Sequence, residues 1–365
     1  MPPFRAEHVG SFPRPERLMA AREAFAAGKL AKEGLRRVET DCIREIVALQ
    51  ERVGIGVVTD GEFRRSSWRD FVFEKCDGFG AERGGGDFAF KLFDGTVRKA
   101  AGVPPIVGRL SRREPFSAED FSLLKPMTRR PIKANLPTPS SMHYQSGDVS
   151  IAKTAYPDRR AFLDDLTRLY REEIADLAAR GCTYLQMDEV PLAVICDPAN
   201  REIVKARGED PDELIDDYVD AINASIRDRP AGMTVCVHMC RGNIGHGMAD
   251  GGYEPVAERM FGRLEVDGYF LEYDTPRAGD FRPLRHLPKP KMAVLGLVST
   301  KLAEIESKDS LKRRIDEAAR YADFERLCLS PQCGFSSNVG SGRFAPEVVE
   351  RKLARIVEIA AELWG

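Results

Sequence analysis

Short apolar runs alternate along this chain with longer amphipathic stretches, the pattern of a parallel sheet whose strands are separated by helices. Eight runs read as strands: residues 7–11, 56–60, 132–136, 184–188, 234–238, 268–272, 292–298 and 326–330. Between them the apolar period lengthens to that of a helix. Residues 35–52 place Val38, Cys42, Ile43, Ile46 and Val47 on one face, and residues 158–180 do the same with Phe162, Leu166, Leu169, Tyr170, Ile174 and Leu177. Residues 211–229 and 344–363 carry similar stripes. Eight strands alternating with helices predict an α/β fold, a (β/α)8 TIM barrel, as a single catalytic domain over residues 1–365. Residues 73–130 break the alternation with Gly84-Gly85-Gly86 and the alternating run Phe88-Ala89-Phe90-Lys91-Leu92. They predict an insertion after strand two, a β-hairpin forming a lid over one mouth of the barrel.

Composition narrows the class without changing the fold. A hydrophobic share of 43% in 365 residues is enough for a large core, and a formal charge of -2 leaves no footprint for nucleic acid. No apolar run approaches the roughly 20 residues of a membrane span. The first residues, Met1-Pro2-Pro3-Phe4-Arg5, lack the apolar segment of a secretory signal. Eight cysteines in a chain of this length are too sparse for a disulfide scaffold and read as reduced thiols. The expectation is a soluble cytoplasmic protein with small-molecule partners and neither a nucleic-acid nor a membrane partner. A homodimer is compatible with the sequence, which does not fix the oligomeric state.

The chemistry lies where a barrel builds its site, at the C-terminal ends of the strands. His238 and Cys240 end strand five, Glu272 ends strand six, and Cys333 follows strand eight. Imidazole, thiolate and carboxylate are the ligands zinc takes, and residues i and i+2 leaving a strand point the same way. Singly, each of these residues reads as core; as a set from three strand ends they predict one Zn2+ site. A zinc ion with two thiolates and a carboxylate is a poor source of hydroxide but a good holder of a substrate thiolate. The set therefore points to alkyl transfer to sulfur rather than to hydrolysis. Gly10 and Ser11 after strand one offer a backbone N–H and a hydroxyl to a carboxylate, while Glu62 and Asp188 after strands two and four offer charge to an ammonium group. One of Asp188 and Glu189 reads as a helix cap. Arg241 and Asn243 are candidates to orient the metal ligands, and Cys236 and Cys328 read as core. Trp68 and Trp364 carry no reading from sequence.

Together, Val9-Gly10-Ser11-Phe12-Pro13, Asp60-Gly61-Glu62, Met187-Asp188-Glu189-Val190-Pro191, His238-Met239-Cys240, Glu272 and Pro331-Gln332-Cys333-Gly334 carry a resemblance that spans nearly the whole chain. It resembles the catalytic C-terminal barrel of the cobalamin-independent methionine synthase superfamily, and more closely that superfamily's stand-alone single-barrel members. The resemblance implies that His238, Cys240, Glu272 and Cys333 bind zinc, that the Gly10-Ser11 segment holds the carboxylate of a homocysteine-like thiol, and that Glu62 and Asp188 hold its ammonium. The implied reaction is methyl transfer to that thiol, forming methionine. Three departures leave the donor open. The long N-terminal half of the full-length enzyme is missing. The histidine that protonates the departing folate is replaced by Lys301, and the tryptophan that packs on the pterin is absent from residues 136–144. Lys301, His143 and Tyr144 are the candidates to assist the leaving group. The donor is then a methylfolate, a methyl-corrinoid or another methylated compound. The rival expectations are epoxide opening by a zinc-bound thiol of the coenzyme M type, and a zinc-binding barrel without turnover.

Overall fold

Burial on both faces turns the apolar runs into the central sheet. The computed structural model describes residues 2–92, 94–243, 248–339 and 344–365. In chain order the strands are β1 (Cys76–Phe79), β2 (Gly85–Lys91), β3 (Val97–Ala101), β4 (Ile106–Arg112), β5 (Ala134–Pro137), β6 (Tyr184–Asp188), β7 (Thr234–Met239), β8 (Gly268–Glu272), β9 (Met292–Val298) and β10 (Leu327–Pro331). The last six form one parallel sheet in the order β10-β9-β8-β7-β6-β5. Three of them keep the bounds expected from sequence, β7 runs one residue longer, and β5 and β10 shift by one or two residues at both ends. Helices Lys32–Val53, Arg159–Ala179, Pro211–Ile226 and Pro346–Trp364 occupy the expected amphipathic stretches.

The first two expected strands, 7–11 and 56–60, are reduced to single parallel bridges, Ala6 to Leu329 and Val58 to Ile132. The reason lies in where their backbone groups go. The side chain of Gln50 brackets Thr59, accepting from its N–H at 2.9 Å and donating to its carbonyl at 2.9 Å. Asn135 and Gln186 both donate to Val9 O at 2.8 Å. Side-chain amides have replaced a neighbouring strand. Phe12 N–H reaches Gly61 O at 3.1 Å and joins the two segments, which completes the circuit of eight.

Val9, Val57, Tyr184, Cys236, Phe270, Val294 and Cys328 pack together as a cluster separate from the larger core, so Cys236 and Cys328 are core residues as expected. Beside them lies a fully buried ion pair, Lys133 Nζ to Glu7 Oε2 at 3.1 Å. Between Val58 and Ile132 the chain forms two nested antiparallel pairs rather than one hairpin, β1 with β4 and β2 with β3. Their C-terminal leg docks on the buried carboxylate of Glu173, which accepts the N–H groups of Phe116, Ser117 and Ala118 at 2.6, 2.7 and 2.9 Å. At the other side Lys91 bridges to Met248, and Arg207 pairs with Asp87 at 3.0 Å. Among the described residues, no helix is long and apolar enough to cross a membrane.

Candidate active site

The alternation of β7 sends His238 and Cys240 to the same side, and Cys333 stands two residues beyond β10. The ligand atoms of these three buried residues lie within 4.8 Å of one another. A tetrahedral zinc with bonds of about 2.3 Å to sulfur holds two sulfurs roughly 3.8 Å apart; here Cys240 Sγ and Cys333 Sγ are 3.5 Å apart. Both ring nitrogens of His238 are buried without a hydrogen-bond partner among the described residues. Such a group is costly unless something binds it, and a cation does so. The three donors therefore fit zinc. The hydrogen bond with Cys240 and the charges of His238 and Lys301 hold the Cys333 thiol well below the ordinary thiol range, against its burial.

Glu272, the fourth expected ligand, is adjacent but committed elsewhere. Its Oε1 lies 3.2 Å from Lys301 Nζ, with both side chains fully buried, and its Oε2 accepts the Arg241 N–H at 2.8 Å. Burial alone would raise its pKa, yet Lys301 and Arg241 hold it below the ordinary carboxylate range. Gly296 permits this crowding, because a Cβ there would lie 2.6 Å from Gln332 Cα and 2.8 Å from Leu271 O. Arg241 braces the backbone of this region. Its guanidinium spans the carbonyls of Gly251, Glu272 and Ala278 at 2.5, 3.1 and 3.2 Å. Asn243 donates to Gly334 O at 3.3 Å, next to Cys333.

The trio faces a cavity of about 280 Å³ whose walls include Ser11, Glu62, Asp188, Tyr144, Trp68 and Phe90. Glu62 is held in a left-handed backbone conformation, φ 60°, with its N–H on Asp60 Oδ1 at 2.9 Å. A non-glycine residue there stores strain of about 1–3 kcal/mol, a pattern common at ligand-binding positions. Its Oε2 is buried without a hydrogen-bond partner among the described residues. Burial, with Asp188 nearby and Arg65 opposing, pushes Glu62 up to about 7. Burial also raises Asp188, which accepts from Gln186 Nε2 at 2.8 Å. Glu189 instead accepts from Leu192 N–H at 2.8 Å and caps the short helix Pro191–Val194, so the adjacent acids divide as expected. Gly334 leaves the Ser11 hydroxyl its place, because a Cβ there would fall 1.9 Å from Ser11 Oγ and turn it away. Gly10, at φ 133°, packs on Asn135, and of that expected pair Ser11 lines the cavity.

The three candidates for leaving-group assistance separate. Tyr144 lines the cavity, its hydroxyl receiving Gln145 Nε2 at 2.8 Å. His143 lies outside it, with Nδ1 2.8 Å from Tyr218 Oη and Nε2 3.0 Å from Asp148 Oδ1. Lys301 is fully buried against Glu272 and is not among the residues lining the cavity. Sequence reasoning missed Trp68, Arg69 and Gln145 on the cavity wall. Arg69 donates to Gln145 Oε1 at 3.0 Å and to Ser141 O at 3.2 Å, which fixes the wall opposite the acids. The only signal was a buried-type residue beside an arginine in a loop after a barrel segment.

Comparison with known proteins adds the lineage. A family model described as cobalamin-independent synthase, catalytic domain, matches residues 4–362. The uncharacterized protein YxjG of Bacillus subtilis is 39% identical over 370 residues, covering 100% of this chain and 95% of its own. A methionine synthase of Pyrococcus abyssi is 26% identical, covering 89% of this chain and 84% of its own. Among solved structures, a candidate vitamin-B12-independent methionine synthase from Listeria monocytogenes superposes with a TM-score of 0.75 at 32% identity, covering 100% of this chain and 98% of that one.

Proposed function

The chain belongs to the family of cobalamin-independent synthase catalytic domains, and on that premise we propose that it is a zinc-dependent S-methyltransferase acting on the thiol of homocysteine to form methionine. One observation carries the reading: the His238, Cys240 and Cys333 donors and the buried acids Glu62 and Asp188 open onto one cavity of about 280 Å³. Zinc, when bound, supplies a Lewis acid that keeps a thiol deprotonated near neutral pH. The chain's own residues do the rest. Glu62 and Asp188 receive the ammonium group, whose charge offsets their mutual repulsion, and Ser11 receives the carboxylate. Trp68, Phe90 and Tyr144 wall the sulfur from water and hold the donor's methyl carbon in line with it, a gain in effective concentration rather than in acid–base chemistry. The sulfur contributes the electron pair of the new S–C bond, and the bond from methyl to donor breaks with its pair on the donor.

The donor is a methylfolate, a methyl-corrinoid or another small methylated compound. A thiol carrying a sulfonate, as in epoxide opening of the coenzyme M type, meets like charge at Glu62 and Asp188 and is disfavoured. A metal store without turnover has no use for that acidic pair. The test is to load the purified protein with zinc and incubate it with homocysteine and a panel of methylfolates, methylcobalamin and methylated sulfur and nitrogen compounds. Methionine formation with stoichiometric zinc supports the reading. Turnover only with thiols lacking an amino group, or full activity in Cys333→Ser, overturns it.

A further inference from the structure

We propose that Lys301 withholds Glu272 from the metal, so that the centre has three protein ligands, His238, Cys240 and Cys333, and an open fourth position for the substrate thiol. The inference rests on the methyltransferase reading above and departs from the four-ligand set that the resemblance implies.

Three observations carry it. Each oxygen of Glu272 is already drawn to a donor, Oε1 to Lys301 Nζ at 3.2 Å and Oε2 to the Arg241 N–H at 2.8 Å. The three other donors lie within 4.8 Å of one another in a group that does not include Glu272. Lys301 is fully buried, and its other hydrogen-bond contact is the thioether of Met248 at 2.6 Å. Drawing Glu272 onto the metal would strip the buried ammonium of its ion-pair partner, and a buried charge that loses its partner is heavily penalised.

Charge bookkeeping favours the same arrangement. A divalent zinc with two thiolates is neutral, and Lys301 with Glu272 is a second neutral unit beside it. An incoming thiolate then brings a single negative charge into the buried site. With Glu272 also bound, the metal group would already be anionic before the substrate arrived. Three protein ligands and one exchangeable position are also the usual arrangement of catalytic, as opposed to structural, zinc. Lys301 is on this account a positioning residue that keeps the fourth position open, and it touches neither substrate nor donor.

Cobalt(II) in place of zinc reports the ligand set by its visible absorption, independently of turnover. Wild type and the charge-free double variant Lys301→Met/Glu272→Gln should give the same cobalt spectrum and the same spectral response to homocysteine. Lys301→Met frees the carboxylate to take the open position, so its spectrum should shift. The homocysteine concentration needed for the response should then rise by about 10- to 100-fold, the range for losing a partner that orients a metal site. The double variant Lys301→Met/Glu272→Gln carries neither charge and should recover the wild-type spectrum, which separates ligand exchange from misfolding. The proposal is overturned if the double variant loosens the metal as Cys240→Ser does. A silent Lys301→Met, or a double variant that stays shifted, also overturns it. A wild type that takes up no stoichiometric metal overturns the methyltransferase reading itself, a result distinct from metal bound with contrary spectra.

Discussion

Among the described residues, the barrel holds two lysine–glutamate pairs that are both fully buried, Lys133–Glu7 at 3.1 Å and Lys301–Glu272 at 3.2 Å. They differ in what surrounds them. Lys133 also donates to His8 O and sits 4.5 Å from the ring centroid of Phe270, and Glu7 receives Tyr184 Oη at 2.8 Å and Phe4 N–H at 3.0 Å. The first pair is saturated by neighbours from several elements, packed among them as a fixture. The second leans on one thioether and one backbone N–H beside a group of metal donors. The same two residue types thus make a structural bolt at one place and an adjustable partner at the other. What distinguishes them is the number of remaining partners, not burial or distance.

The comparison breaks most visibly at the saturated pair. Lys133→Met leaves Glu7 buried and unpaired, and should lower the unfolding free energy by about 3–5 kcal/mol in urea titrations. Lys301→Met should cost less stability than Lys133→Met in the same titration; equal losses would erase the distinction. Next in size, Cys333→Ser should lower methyl transfer by at least about 100-fold, as expected when reacting groups lose their alignment, while leaving metal-free stability near that of wild type.

Glu62→Gln comes third and should raise the KM for homocysteine by about 10-fold, near 1.4 kcal/mol. It should barely change the response to a thiol without an amino group. The pH dependence follows from the same residue, whose pKa stands at about 7. A folded pKa above the unfolded value favours the folded state while the group is protonated, so this contribution is present below pH about 4.5 and fades as pH rises through about 7. Metal-free protein should therefore lose stability across that window, and homocysteine binding should tighten across it as the carboxylate forms. Calorimetry at several pH values reads both; a flat profile in wild type, or an unchanged one in Glu62→Gln, contradicts the assignment. The smallest effect belongs to His143→Gln, which should keep kcat/KM within about threefold because the ring faces Tyr218 and Asp148.

The six parallel strands were legible because their residues are apolar on both faces, and the convergence of His238, Cys240 and Cys333 because they stand at strand ends. The first two strands were misjudged in extent because their backbone partners are side chains, Gln50, Asn135 and Gln186, which no local pattern announces. The commitment of Glu272 to Lys301 depends on how closely β8 and β9 meet at Gly296, a tertiary fact. Tyr144 and His143 are neighbours in sequence and differ in role because the turn at Pro139–Met142 sends one ring into the cavity and the other away. Trp68, Arg69 and Phe90 reach the cavity from loops and a ribbon that carry no barrel periodicity.

The leg of the ribbons ends on Glu173, which grips three consecutive backbone N–H groups. The side chains of Arg112 and Ser117 add to that grip, Nη1 at 2.5 Å and Oγ at 3.2 Å, and neither Arg83 nor Phe90 supplies any of it. Arg83 and Phe90, which the ribbons present to the cavity, can therefore be exchanged without loosening the mount. On the proposed function, the wall that would meet a methyl donor and the floor that would hold the sulfur could then diverge at different rates, so a barrel built this way could change its donor and keep its thiol.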